Sequence, residues 1–571
     1  MDRKKMIAVT MHDEKADVVL KNARVINVFS NEINRCDVAV SDGFIVGLGS
    51  YQGKQTIDLK GKYLAPGFID GHVHIESSML TPSGFASLIV PFGTTTIIAD
   101  PHEIANVCGK VGIDFMVDSA KESPLDVHIM IPSSVPSTKY ETNGATIDVE
   151  TIKSLRGKEG ILGLGELMDY NGVWRREHDV LDKIEAMAEY PIDGHAPSLS
   201  GEALQAYRLV GVGTDHECHL ASEAKERLDL GFYVHLREGS QTKNLLDVLP
   251  AINDHNKNHV LLCTDDYHPE DIVKNGHINH LINLAVSNGI DPIDAIRMGT
   301  IQIAECYGLK NKGAVAPGYR ADLVVFNDLN HIEPEQVFID GTLVAEEGSP
   351  LFSAKDTDPG ALLNSVHVND DDIDFSFPLS SNRIYAMELV KNNIVTKKTI
   401  VEVKLENKAF VFGGDLLKYM VIERHKNTGN VGKAIVKGYG LKTGAVGMTI
   451  AHDSHNMIVL GADDESMRAV VSDLSNIQGG IAIAKNGRVI NHLSLEVGGI
   501  MTQKKPESVI TRLNEMKDAL YDMGVERDIE DPFLSLAFLS LPVVPELKCI
   551  DSGLFDVTKE TIIPLEVDHN E

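Results

Sequence analysis

Between residues 67 and 265 one pattern recurs eight times: a short apolar run rich in β-favouring residues, in most cases ending on a side chain that can bind a cation or move a proton. The runs are 67–74, 94–100, 126–131, 160–166, 191–195, 211–216, 231–236 and 259–265. Helix-like stretches, among them Val180–Ala188 and Ser222–Leu228, lie between most of them. Strands that alternate with helices pair in parallel, and eight such units predict an α/β fold built on a closed, TIM-like (β/α)8 barrel. In that architecture reactive groups gather at the C-terminal ends of the strands. The ends read His72 and His74; Asp100, His102 and Glu103; Glu166; His195; Asp215, His216 and Glu217; His235 and Glu238; Asp265 and Asp266. One such residue alone is ordinarily a polar cap. Their recurrence in strand register points to a shared site.

The first run, Pro66-Gly-Phe-Ile-Asp-Gly-His-Val-His-Ile-Glu76, begins that site. Residues two apart in a strand point to the same side, so His72 and His74 present two imidazoles together. Neutral imidazole is a common metal ligand, and two on one rigid edge begin a metal site.

The flanks have another texture. Residues 17–65 and the stretch from Gly313 through Val344 carry short Val/Ile-rich runs broken by Asn, Asp and Gly at hairpin-like intervals. They are expected to pair into one small β-sandwich with the barrel inserted, giving domains at 1–65 with 315–370, and at 66–314. Residues 371–571 form a further α+β domain. Tyr419–Glu423 and Gly432–Lys437 read as strands, and Met467, Val470, Val471 and Leu474 fit one helical face begun by Asp463 and Asp464. Thr449-Ile-Ala-His-Asp-Ser-His-Asn456 gathers ligand-type residues after a strand. It reads either as an ordinary loop or as one whose His452, Asp453 or His455 closes over the barrel mouth.

Acidic residues outnumber basic ones, 83 to 53, for a net charge of -30. Such a surface repels phosphate backbones and anionic lipid, so neither nucleic acid nor membrane is expected as a partner. The 6 cysteines are scattered with no C-x-x-C pair, which suits a reducing compartment. No long apolar run follows the N-terminus, so a cytoplasmic location is expected.

The chain resembles the amidohydrolase superfamily, and within it the adenine deaminase family. The superfamily resemblance rests on Pro66–His74, on the strand-end series and on Pro317-Gly-Tyr-Arg-Ala-Asp-Leu-Val-Val325. The narrower one rests on Asp100-Pro-His-Glu-Ile-Ala-Asn106, Gly163-Leu-Gly-Glu-Leu-Met168, Asp193-Gly-His-Ala-Pro197, Cys263-Thr-Asp-Asp266, Gly498-Gly-Ile-Met501 and Leu541-Pro-Val-Val-Pro545. The resemblance implies hydrolysis of adenine to hypoxanthine and ammonia at a binuclear divalent metal centre, manganese or iron, with zinc as a further choice. It implies His72 and His74 on one metal with Asp265 completing it, His195 and His216 on the other, and Glu166 as the bridging carboxylate, where many relatives carry a carboxylated lysine. Asp215 reads as a ligand or as a partner orienting His216. A homo-oligomer is also implied.

The chemistry asks for such residues. Two divalent ions lower the pKa of a water, and Asp265 beside it can take its proton. Attack at ring carbon 6 requires a proton on ring nitrogen 1. Glu238, Glu217 and Glu103 are the acids considered for that step, Glu238 being preferred as a strand-end residue. His102, Glu103, His235, Asp453 and His455 are the expected substrate-binding residues. A cyclic amide hydrolase of the hydantoinase or dihydropyrimidinase kind shares the barrel but would usually want Lys at 166. A non-catalytic assembly protein on the same fold would expect gaps in the ligand set, and the sequence has none.

Overall fold

The computed structural model describes residues 2–567. Eight parallel strands run β1 (Phe68–Val73), β2 (Thr94–Ala99), β3 (Asp126–Ile131), β4 (Ile161–Leu167), β5 (Ile192–Gly194), β6 (Thr214–Asp215), β7 (Tyr233–Arg237) and β8 (Val260–Cys263). They hydrogen-bond in two arcs, β1 to β5 and β6 to β8. Backbone bonds close the ring. Asp265 N–H donates to His72 O at 3.0 Å, joining β8 to β1, and Gly213 N–H donates to Ile192 O at 2.9 Å, joining β6 to β5. Every residue of β1 and β2 is buried, as expected for parallel strands covered on both faces. β5 and β6 are shorter than the sequence suggests, because Gly194, Gly211 and Gly213 offer no side chain to a ladder. Helices including His102–Ala120, His178–Ala186 and Ala221–Asp229 lie between the strands.

The two flanks meet. Leu323–Phe326 pairs antiparallel with Tyr63–Pro66, so residues far apart in the chain share one ladder. The flanking strands belong to one nine-stranded hydrogen-bonded network. The reason is the long strand Ala16–Asn27. One of its edges pairs with both Gly53–Asp58 and Tyr63–Pro66, and a register shift between Leu20 and Ala23 turns it from one to the other. Leu20, Val38, Ile45, Leu64, Leu323 and Phe338 fill the core of this sheet.

A mostly antiparallel eight-stranded sheet runs from Arg383–Leu389 to Arg488–Ser494. Helix Asp464–Asn476 packs on it through Met467, Val470, Val471 and Leu474, and Asp463 caps it by accepting from Ser466 N–H at 2.7 Å. This C-terminal unit covers the barrel mouth. Thr502 N–H donates to Met79 O at 2.9 Å, and Asn456 Nδ2 donates to Thr142 O at 2.9 Å. Among the described residues no helix is long and apolar enough to cross a membrane.

Candidate metal centre

The strand ends converge under the C-terminal unit. His72 Nε2 and His74 Nε2 lie 3.2 Å apart, and Asp265 Oδ1 stands 3.6 and 3.1 Å from them. Glu166 divides its carboxylate. Oε1 lies 3.4 Å from His74 Nε2, while Oε2 lies 2.8 Å from His195 Nδ1 and 3.2 Å from His216 Nε2. Two donor sets therefore share Glu166: the ligand atoms of His72, His74 and Glu166, and those of Glu166, His195 and His216, fall within 4.8 Å of one another.

Local structure fixes these side chains. His74 Nδ1 faces Asp100 O at 2.8 Å; a carbonyl only accepts, so Nδ1 carries the proton and Nε2 keeps its lone pair for a metal. Glu166 N–H donates to Asp100 Oδ2 at 2.8 Å, and a Cβ on Gly165 would come within 2.2 Å of that oxygen, so the approach needs glycine. Asp265 has φ 59°, in the left-handed region that Asp tolerates better than most residues, and backbone bonds to His72 and His74 hold it there. Behind β1, Asp70 accepts from Thr264 Oγ1 at 2.5 Å, and Tyr307 OH donates to Asp193 Oδ1 at 2.7 Å. Asp193 Oδ2 stands 3.9 Å from His72 Nδ1.

Nitrogen and oxygen donors without thiolate suit first-row divalent ions. Burial opposes charge on Glu166, yet His195, His102 and His216 around it hold its carboxyl well below the usual range. The donor set fits two divalent cations bridged by one carboxylate.

Beyond the ligands, the structure places the expected residues unevenly. His102 Nδ1 lies 3.2 Å from Glu166 Oε1 and His102 Nε2 lies 3.5 Å from Glu103 Oε1, so this ring stands between the metal set and Glu103. Glu103 accepts from His452 Nδ1 and His455 Nε2, which brings the C-terminal loop into the mouth. These three residues have metal-ligand spacing, but His455 Nδ1 already accepts Ala451 N–H at 3.2 Å. Its proton therefore sits on Nε2 and points at Glu103, which makes the group a hydrogen-bond clamp and not a third metal site. Burial opposes charge on Glu103, but His452 and His455 keep it ionised. Asp453 Oδ1 lies 3.9 Å from His102 Nε2.

Glu217 pairs with the buried Arg237, whose Nη1 also bonds Asp265 Oδ2 at 2.8 Å. Burial works against ionisation of Glu217, but Arg237 brings its pKa down to about 2. The sequence reading did not single out Arg237. The alternation that turns His235 inward turns Arg237 inward too, and a charged residue closing an apolar strand was the available signal. The same alternation turns Glu238 away, toward Lys243 and the backbone of Leu245, so it is not brought into the ligand group. Burial pushes its pKa up to about 7. His235 lies one strand layer below the ligands, fully buried, with both ring nitrogens lacking a hydrogen-bond partner. Asp215 does not orient His216: its carboxylate binds Arg227 Nε at 2.8 Å and Glu217 N–H at 3.0 Å.

Residues 63–344 match the amidohydrolase family, and residues 393–561 match the adenine deaminase C-terminal domain. Over 567 residues, 99% of each chain, the sequence is 45% identical to adenine deaminase 2 of Carboxydothermus hydrogenoformans. The chain belongs to the adenine deaminase family. Adenine deaminases of Geobacillus kaustophilus, 43% identical over 98% of each chain, and Clostridium acetobutylicum, 44% identical over 95% of this chain and 96% of that one, match it along nearly the same length. The part that matches the adenine deaminase C-terminal domain includes His452 and His455, so the match extends to the loop that clamps Glu103.

Proposed function

We propose that this protein hydrolyses adenine to hypoxanthine and ammonia at a pair of divalent metals, manganese or iron, and acts as a soluble, homo-oligomeric cytoplasmic enzyme of purine salvage. The observation that carries the reading is Glu166: its two oxygens face two separate imidazole sets, in a chain similar over its whole length to adenine deaminases. His72, His74, Asp265 and Glu166 would hold one ion, and Glu166, His195 and His216 the other.

Two bound divalent ions supply an activated water at neutral pH. The rest falls to the chain. Asp265, held by Arg237 and by its own backbone bonds, is positioned to receive the proton of the attacking water and to return it to the departing amine. Glu217 and Glu103, kept ionised, can accept hydrogen bonds from the exocyclic N–H groups. Glu238, the acid preferred from the sequence for protonating ring nitrogen 1, is pushed up to about 7 by burial but faces Lys243 and the backbone of Leu245, so that proton is not assigned to it.

Metal analysis with an ultraviolet assay of adenine loss tests this. About two metals per chain and steady conversion to hypoxanthine are expected; a fully loaded protein that leaves adenine intact overturns the reading. Glu166→Gln is expected to lose a metal as well as rate, because an amide cannot bridge two cations as a carboxylate does. Full occupancy with normal turnover in that variant counts against bridging.

A further inference from the structure

Beside the metal ligands lies a second group of polar side chains, touched by a cationic group only where His102 Nε2 comes within 3.9 Å of Asp453 Oδ1. Glu141 and Asn143 stand on the loop after β3, and Asp453 stands on the loop that the C-terminal sheet brings in. They are 9%, 3% and 3% exposed. Each leaves one polar atom unpaired: Glu141 Oε2, Asn143 Oδ1 and Asp453 Oδ2. The partners the two carboxyls do have are hydroxyls. Ser137 Oγ lies 3.4 Å from Glu141 Oε1 and also serves Asp453, and Ser454 serves Glu141. A buried polar atom without a partner is destabilising. Glu141 and Asp453, neighbours contributed by two separate loops that share Ser137, each keep one such oxygen and mark a place shaped for groups that a ligand brings.

The position of the group says which part of a ligand. Asp453 Oδ1 is 3.9 Å from His102 Nε2, and His102 Nδ1 is 3.2 Å from Glu166 Oε1. The subsite is thus separated from the bridging carboxylate by the width of one imidazole ring. In a purine with carbon 6 at the metals, the edge remote from that carbon carries N3 and N9. In free adenine this edge offers a lone pair next to an N–H. A protonated carboxyl offers the complement, an O–H next to a carbonyl. Burial, followed by the neighbouring Asp453, raises the Glu141 carboxyl well above the usual range and so favours its protonated form.

We propose that Glu141, with Asp453 and Ser137, forms the subsite that reads the N3/N9–H edge of the free base and excludes purines substituted at N9. This rests on the deaminase reading above and names the part of the substrate recognised. A site built to pair an N–H discriminates strongly against an analogue that lacks it, because its own buried groups are then left unpaired. A nucleoside lacks that N–H and adds a bulky group in its place.

The test uses the metal-loaded enzyme with adenine, 9-methyladenine and 3-deazaadenine, and the variants Glu141→Ala and Glu141→Gln. Wild-type enzyme is expected to bind 9-methyladenine and 3-deazaadenine, measured as competitive inhibitors, at least about 10-fold more weakly than adenine. Glu141→Ala is expected to raise KM for adenine about 10- to 100-fold with metal content unchanged, and to narrow the preference for adenine over 9-methyladenine. Glu141→Gln, whose amide presents a donor and an acceptor side by side, is expected to restore most of the affinity. Adenine KM within about twofold of wild type in Glu141→Ala, or equal binding of adenine and 9-methyladenine by wild type, overturns the subsite. The second of these needs no variant to fold. Wild-type enzyme active on adenine with either result loses the subsite alone; wild-type enzyme inactive on adenine loses the deaminase reading and the subsite with it.

Discussion

Arg237 stands where two carboxylates of the site meet. Its Nη1 bonds Glu217 and Asp265, while Nε and Nη2 are buried without partners. Replacing it leaves Asp265 free to rotate and Glu217 buried without its cation. Arg237→Met is therefore expected to lower kcat/KM or metal affinity by about 10- to 100-fold, the range for residues that orient metal ligands, and Arg237→Lys to recover only part of the loss because the shorter lysine stem does not bring its ammonium to the place that Nη1 occupies. Steady-state kinetics beside metal analysis separate the two effects. At this scale the sequence was informative wherever a period of two could be counted. His72 and His74 follow from it, and so would Arg237 had the count been carried past His235. Glu238 was read from its place at a strand end without that count, and it turns the other way. Tautomers lie beyond any such count: the difference between His74, with Nε2 free, and His455, with Nε2 protonated, depends on a carbonyl and an amide that only the fold supplies.

Among the elements, the strand Leu547–Ile550 carries a lysine into the interior. Lys548 donates to Ile394 O at 2.7 Å and Phe538 O at 2.8 Å, and burial lowers its pKa from 10.5 to about 7. The folded chain thus favours neutral Lys548, whereas the unfolded chain keeps it protonated up to about pH 10.5. Between those values the unfolded state binds more protons, so stability rises with pH, by at most about 1.4 kcal/mol per pH unit; below pH 7 both states are protonated and the contribution is flat. Urea midpoints at pH 7, 8 and 9 are expected to climb in wild type relative to Lys548→Met. Parallel profiles in the two proteins would contradict the shift. The existence of the eight barrel strands was plain from composition, since Val/Ile runs alternate with helical spacing. Their lengths were not, because glycine shortens β5 and β6. The pairing of the flanks was expected from their shared texture; the register shift inside Ala16–Asn27 leaves no mark in composition.

For the molecule as a whole, the C-terminal unit is bound to the barrel by charge as well as by backbone. Lys517 Nζ bonds Asp531 Oδ2 at 2.8 Å and Glu270 Oε1 at 2.7 Å, and His268 Nδ1 meets the same Asp531 oxygen at 2.9 Å. Lys517→Met takes the cation from Glu270 and leaves Asp531 with His268 alone, and is expected to destabilise the protein by up to about 3–5 kcal/mol, seen as a lower denaturation midpoint. An unchanged midpoint would mean that the network carries no net weight. The ladder between Tyr63–Pro66 and Leu323–Phe326 has a different outcome, one of timing. During translation the first half of that sheet emerges with an open edge, and its partner is still unmade until the entire barrel has been threaded out. At about 5–20 residues per second the wait lasts tens of seconds, during which the bare edge is exposed to other nascent chains.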